Sequence, residues 1–122
     1  MTSKYVQPGK VLQYANAGSA IAAGDVVVIG KILGVALVDI AASTGVGSVM
    51  IEGVFTLPKV TTAVIPQGSH LNYKAATKNF DVGTGSLTTG DVSGPPAVAF
   101  AAGANGDTTL QVKLTGVPGT VT

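Results

Sequence analysis

Cysteine, arginine and tryptophan are all missing from these 122 residues. Without cysteine there is neither a disulfide framework nor a thiolate metal site, so the fold must hold by packing and hydrogen bonds alone. Without arginine the chain lacks the bidentate fork that grips guanine and phosphate. The seven basic residues are all lysine, at 4, 10, 31, 59, 74, 78 and 113, and six acids offset them to a formal charge of +1. They are scattered, so the basic face that a nucleic-acid binder needs is absent and no nucleic-acid partner is expected. Long apolar runs are missing too. The most apolar stretch, Ile32 to Val38, is closed by Lys31 and Asp39 and is far shorter than the roughly 20 residues of a membrane-spanning helix, so no membrane is expected. Met1 to Lys10 carries no apolar run of the kind a signal peptide requires, and the protein is expected to stay where it is made.

Charge is scarce at 11% against 46% hydrophobic residues, and mean hydropathy is +0.48. That balance excludes charge-driven disorder. It leaves little polar material to cover a surface, so self-association as a homodimer or homotrimer is expected. A mass of 12.0 kDa corresponds to roughly 6,000 Å² folded against roughly 17,000 Å² unfolded, enough burial for one domain with a real core. The expected division is an N-terminal arm or first edge strand over 1–10 and a single β domain over 11–122.

Valine and threonine are abundant, 18 and 14 of the 122 residues, and both suit a pleated surface. Apolar runs recur between turn signals at Val11 to Tyr14, Val26 to Ile29, Ile32 to Val38, Ser48 to Leu57, His70 to Lys74, Ala97 to Ala101 and Thr108 to Leu114. This spacing predicts an all-β fold, a single compact antiparallel β-barrel or jelly-roll-like sandwich. Alternation sets Val49, Ile51, Gly53 and Phe55 against Met50, Glu52 and Val54, and places Leu110, Val112 and Leu114 inside with Gln111 and Lys113 in water. Gly30-Lys31 reads as a tight hairpin turn and Asn105-Gly106 as another hairpin signal. The best helix candidate, Ile40 to Ser43, is too short to stand alone. The segment from Asn79 to Pro96 reads as a long excursion.

Chemistry is hard to find. His70, the only histidine, has no carboxylate or nucleophile that the sequence places beside it, and reads as a structural or surface imidazole. Asp25, Asp39, Glu52, Asp81, Asp91 and Asp107 are dispersed singly, several of them in turns. Glu52 interrupts an apolar strand on its outer face. Gly24 to Ile32 fails as a phosphate loop: five residues separate the glycines and Ile32 follows Lys31, so the magnesium-binding hydroxyl is missing. Gly45-Val46-Gly47 and Gly83-Thr84-Gly85 lack the third glycine of a dinucleotide loop and read as turns. No catalytic residue, cofactor site or metal site is expected, and the chain is not read as an enzyme.

In order along the chain stand Tyr5-Val6-Gln7-Pro8-Gly9, Ala23-Gly24-Asp25-Val26-Val27-Val28, Gly34 to Ala41, Glu52 to Lys59, Ile65-Pro66-Gln67-Gly68, Tyr73 and Val112-Lys113-Leu114. In the order and spacing of these motifs the chain resembles the small capsid cement, or decoration, proteins of tailed bacteriophages. It departs from them at Ser69 to Tyr73, where relatives often place an acid and a tryptophan. The resemblance implies a compact β protein on the outside of an icosahedral head, made in the bacterial host cytoplasm, with the major capsid protein as partner. Candidate capsid contacts are Tyr5, Val6, Gln7 and Pro8, because Pro8 disfavours a central ladder and so marks an arm or edge strand. An ordinary first strand packed on its own barrel remains the alternative for this segment. A small virion-surface binding or adhesive β module is the other functional reading, and it would display aromatic platforms.

Overall fold

The computed structural model describes residues 7–122, and these residues form ten strands and no helix. β1 (Val11–Ala15), β2 (Val26–Ile29), β3 (Ile32–Ala36) and β4 (Val46–Met50) make one antiparallel sheet in the order β1-β4-β3-β2. β5 (Glu52–Pro58), β6 (His70–Lys74), β7 (Asn79–Val82), β8 (Val92–Ala99) and β9 (Thr109–Thr115) make a second, in the order β5-β9-β8-β6-β7, with the short β10 (Thr120–Val121) on β8. The all-β expectation holds, as a sandwich. The edges of the second sheet meet only at a lone bridge between Lys59 and Phe80, so it does not close into a barrel.

Local sequence explains the hairpins. Gly30 takes a φ of 59°, as the first residue of a two-residue turn requires, and Ile29 pairs with Ile32 across it. Along β9 the burial alternates without a break from Thr109 to Leu114. Leu110, Val112 and Leu114 are buried as expected.

The core has two parts. The main one fills the space between the sheets with Leu33, Val35, Leu57, Ile65, Leu71, Tyr73, Phe80, Val92, Val112 and Leu114. Tyr73 faces Phe80 across β6 and β7 with ring centroids 5.2 Å apart, a tilted aromatic pair. A smaller cluster of Val27, Ala36, Ile40 and Val49 lies on the other face of the first sheet. There Ile40 folds back over the strands and bridges to Ile21. Each fully buried aliphatic or aromatic side chain contributes roughly 1.5–3 kcal/mol.

Three expectations are corrected. The run Ser48 to Leu57 is two strands, because the chain passes from one sheet to the other at Ile51. The alternation survives, but Val49 and Ile51 pack in the smaller cluster while Phe55 and Leu57 reach the main core. The excursion from Asn79 to Pro96 contains β7 and the start of β8, which leaves 83–91 as its loop. Gly94-Pro95-Pro96 lies inside β8: pairing to β6 jumps from Gly94↔Leu71 to Val98↔His70, so the prolines sit in a bulge where a missing N–H breaks no ladder bond.

Candidate functional site

The proposed contact segment is partly visible. Tyr5 and Val6 lie outside the described residues, whereas Gln7 and Pro8 are exposed at the head of β1. The Gln7 side chain turns back, its Nε2 donating to the Val11 carbonyl at 2.7 Å. A shallow groove of about 340 Å³ runs along Gln7, Pro8, Lys10, Val11, Leu12 and Gln13. Lys10 also lines a neighbouring groove with Glu52 and Lys113. Glu52 is half-buried at the start of β5, where it pairs across to Thr115.

Apolar side chains reach the surface in several places. Val46 is 64% exposed, Val64 65% and Phe100 50%, and Leu37, Val38, Val54, Leu87, Val117 and Val121 are exposed as well. Since the two clusters already supply a closed core, these side chains are surplus to the fold.

The buried charges serve the fold. Asp91 accepts bonds from the Ala75 N–H at 3.0 Å and the Thr88 N–H at 2.8 Å and pairs with Lys74 at 2.7 Å. Burial pushes its carboxyl up, but the Lys74 ammonium and the hydrogen bonds from Thr88 and Ala75 outweigh that and hold it at about 2. Lys59 is 2% exposed, and its ammonium donates to the carbonyls of Val60 at 2.8 Å and Ala104 at 2.9 Å, with Thr61 at 3.4 Å. Tyr73 is raised above the ordinary phenol value by burial, then by the negative charge of Asp25. Sequence reasoning missed these roles because the partners that close each site, Lys74 and Ala75 for Asp91 and Ala104 for Lys59, are distant in the chain.

His70 is exposed on β6, where its ring lies over Gly83. Leu71, Asn72 and Tyr73 are buried beside it, so three of the five residues from Ser69 to Tyr73 are interior. Among the described residues no group of three or more His, Asp or Glu side chains is placed to hold a metal ion. No described helix is long and apolar enough to cross a membrane. A family model described as phage cement protein matches residues 6–114. No curated protein matches the chain significantly.

Proposed function

The chain belongs to the phage cement protein family, and from that premise we propose that it is a non-catalytic cement on the outer capsid surface, bridging major capsid subunits. The observation that carries this reading is the set of large apolar side chains, Val46, Val64 and Phe100 foremost, left exposed around a complete core. They supply several separate contacts, as a bridge between neighbouring subunits needs, and repetition by symmetry multiplies modest contacts into a strong lattice. Gln7 and Pro8, with Tyr5 and Val6 before them, form the arm in this scheme. Self-association through part of the remaining apolar surface belongs to the same reading.

The adhesive alternative would need aromatic platforms; Tyr73 is buried and Tyr14 packs against the smaller cluster, which leaves Phe100 as the one exposed aromatic side chain among the described residues. The test is direct: purified protein is mixed with undecorated heads and the bound fraction counted after sedimentation. Saturable binding at a fixed ratio to capsid subunits, with greater resistance of the heads to heat, is expected. Folded protein that leaves every head bare would overturn the reading.

A further inference from the structure

The loop between β8 and β9 holds the chain's single Asn-Gly pair, Asn105-Gly106. The pair sits in a closed turn, since Asp107 N–H donates to the Ala104 carbonyl at 3.1 Å. Gly106 has a φ of 99°, while Asn105 is not among the residues with positive φ. The turn is therefore type II, not the type I′ turn that Asn-Gly favours in a two-residue hairpin.

An Asn-Gly pair carries its own chemistry. The Gly106 nitrogen, after giving its proton to hydroxide, can attack Asn105 Cγ. The new N–C bond closes a five-membered succinimide as the Cγ–Nδ2 bond breaks, and ammonia leaves with a proton taken from water. Water then opens the ring at either carbonyl, which leaves aspartate or, with one more methylene in the main chain, isoaspartate. Asn105 is exposed and the Cβ position of Gly106 faces open space, so neither burial nor crowding stops the reaction.

Geometry does stop it. Closing the ring requires the Gly106 nitrogen to lie in line with Asn105 Cβ about the Cα–C bond. A type II turn sets ψ of its second residue near roughly +120°, which turns that nitrogen away. The nitrogen is also occupied, its N–H donating to the Thr61 carbonyl at 2.6 Å. The buried Lys59 ammonium fastens both sides, donating to the Ala104 carbonyl at 2.9 Å and to the same Thr61 carbonyl at 3.4 Å. The Asp107 carboxylate accepts the Ala104 N–H at 2.9 Å and braces the turn from within.

We propose that Asn105 is a self-modification site that Lys59 holds silent, so that deamidation follows only when this turn opens. Conversion is one-way. It adds a negative charge and, as isoaspartate, lengthens the main chain next to the Ala104 carbonyl that Lys59 grips, so the turn does not re-form with its original bonds.

The full chain is incubated at mildly alkaline pH and digested, and ammonia loss at Asn105 is followed by mass spectrometry, with a synthetic peptide of residues 101–110 as the unstructured reference. Asn105 is expected to react at least tenfold more slowly in the protein than in the peptide, and the exposed Gly106 amide to be protected from exchange. Lys59→Met should speed both deamidation and Gly106 exchange at least tenfold, because both need the turn to open. Gly47→Ala, which strains the far sheet and leaves this turn untouched, should change neither by as much. Reaction of the parent at the peptide's rate would overturn the proposal. So would equal acceleration by Gly47→Ala, which would trace the reaction to global unfolding, or an unchanged or slower rate in Lys59→Met. If Lys59→Met does not fold, Asp107→Ala, which removes the brace on Ala104, and Gly106 exchange in the parent decide.

Discussion

Lys74 and Asp91 form the one ion pair among the described residues, Nζ to Oδ2 at 2.7 Å, with the Asp91 side chain wholly out of solvent. The pair ties the end of β6 to the loop before β8. The same residue also holds the end of the chain, since the Asp91 carbonyl accepts from Thr122 N–H at 2.9 Å.

This pair sets an acid limit on stability. The carboxyl is held at about 2 in the fold against an ordinary 3.8, so its contribution is complete above the ordinary value and drains away as pH falls through the folded one. The melting temperature is expected to hold from pH 7 to pH 5 and to drop between about pH 4 and pH 2. Asp91→Asn should lose about 3 kcal/mol at neutral pH by leaving Lys74 unpaired, and should lack most of the acid drop. Calorimetry across pH compares the two proteins; parallel curves for both would show that Asp91 does not set the limit.

Lys59 is a second interior fastening. Its ammonium joins the start of the 60–65 segment to the 100–108 loop through the Val60 and Ala104 carbonyls. Lys59→Met keeps the packing of the stem and deletes the donors, leaving buried carbonyls unsatisfied. A loss of about 2 kcal/mol is expected, read from the urea midpoint. A midpoint within error of the parent would mean that water replaces the ammonium at no net cost.

Gly47 tests the cover over the first sheet. A Cβ there would lie 2.6 Å from Ile40 Cγ1 and 2.9 Å from its Cδ1, and Ile40 is 1% exposed. Gly47→Ala should therefore cost about 1–3 kcal/mol by overpacking and speed amide exchange at Ile21 and Ile40, whose paired N–H and C=O groups close this cover. An unchanged melting temperature and exchange rate would show that the cover yields without strain.

The same glycine shows how far the sequence could be read. Gly45-Val46-Gly47 looks like a turn, and only the return of Ile40 over the sheet reveals why a side chain is excluded inside β4. β9 was legible because one face is wet, so Gln111 and Lys113 print the period of two onto the sequence. β7 was hidden because Asn79 and Asp81 fill its outer positions and only Phe80 and Val82 carry the apolar signal. The crossing at Ile51 left no mark, since alternation continues through it while the partner sheet changes. For the candidate site, composition gave the excess of apolar surface but could not say that Val46, Val64 and Phe100 would carry it.

The N-terminal segment gives the last prediction. Of the described residues, deleting Thr2 to Pro8 removes Gln7 and Pro8, which belong to neither core cluster, and one hydrogen bond, from Gln7 to the Val11 carbonyl, so the fold should survive with a loss of about 1 kcal/mol. Attachment to undecorated heads should weaken much more. If Tyr5 and Val6 are buried against the capsid, they contribute roughly 3–6 kcal/mol before ordering costs, enough to empty most sites at concentrations where the full chain saturates them. Sedimentation of heads with full-length and truncated protein compares occupancies at equal free concentration. Equal binding would remove the arm from the mechanism and place the contact on the exposed side chains of the sandwich, where Val64→Asp and Phe100→Asp would then be the substitutions expected to release it.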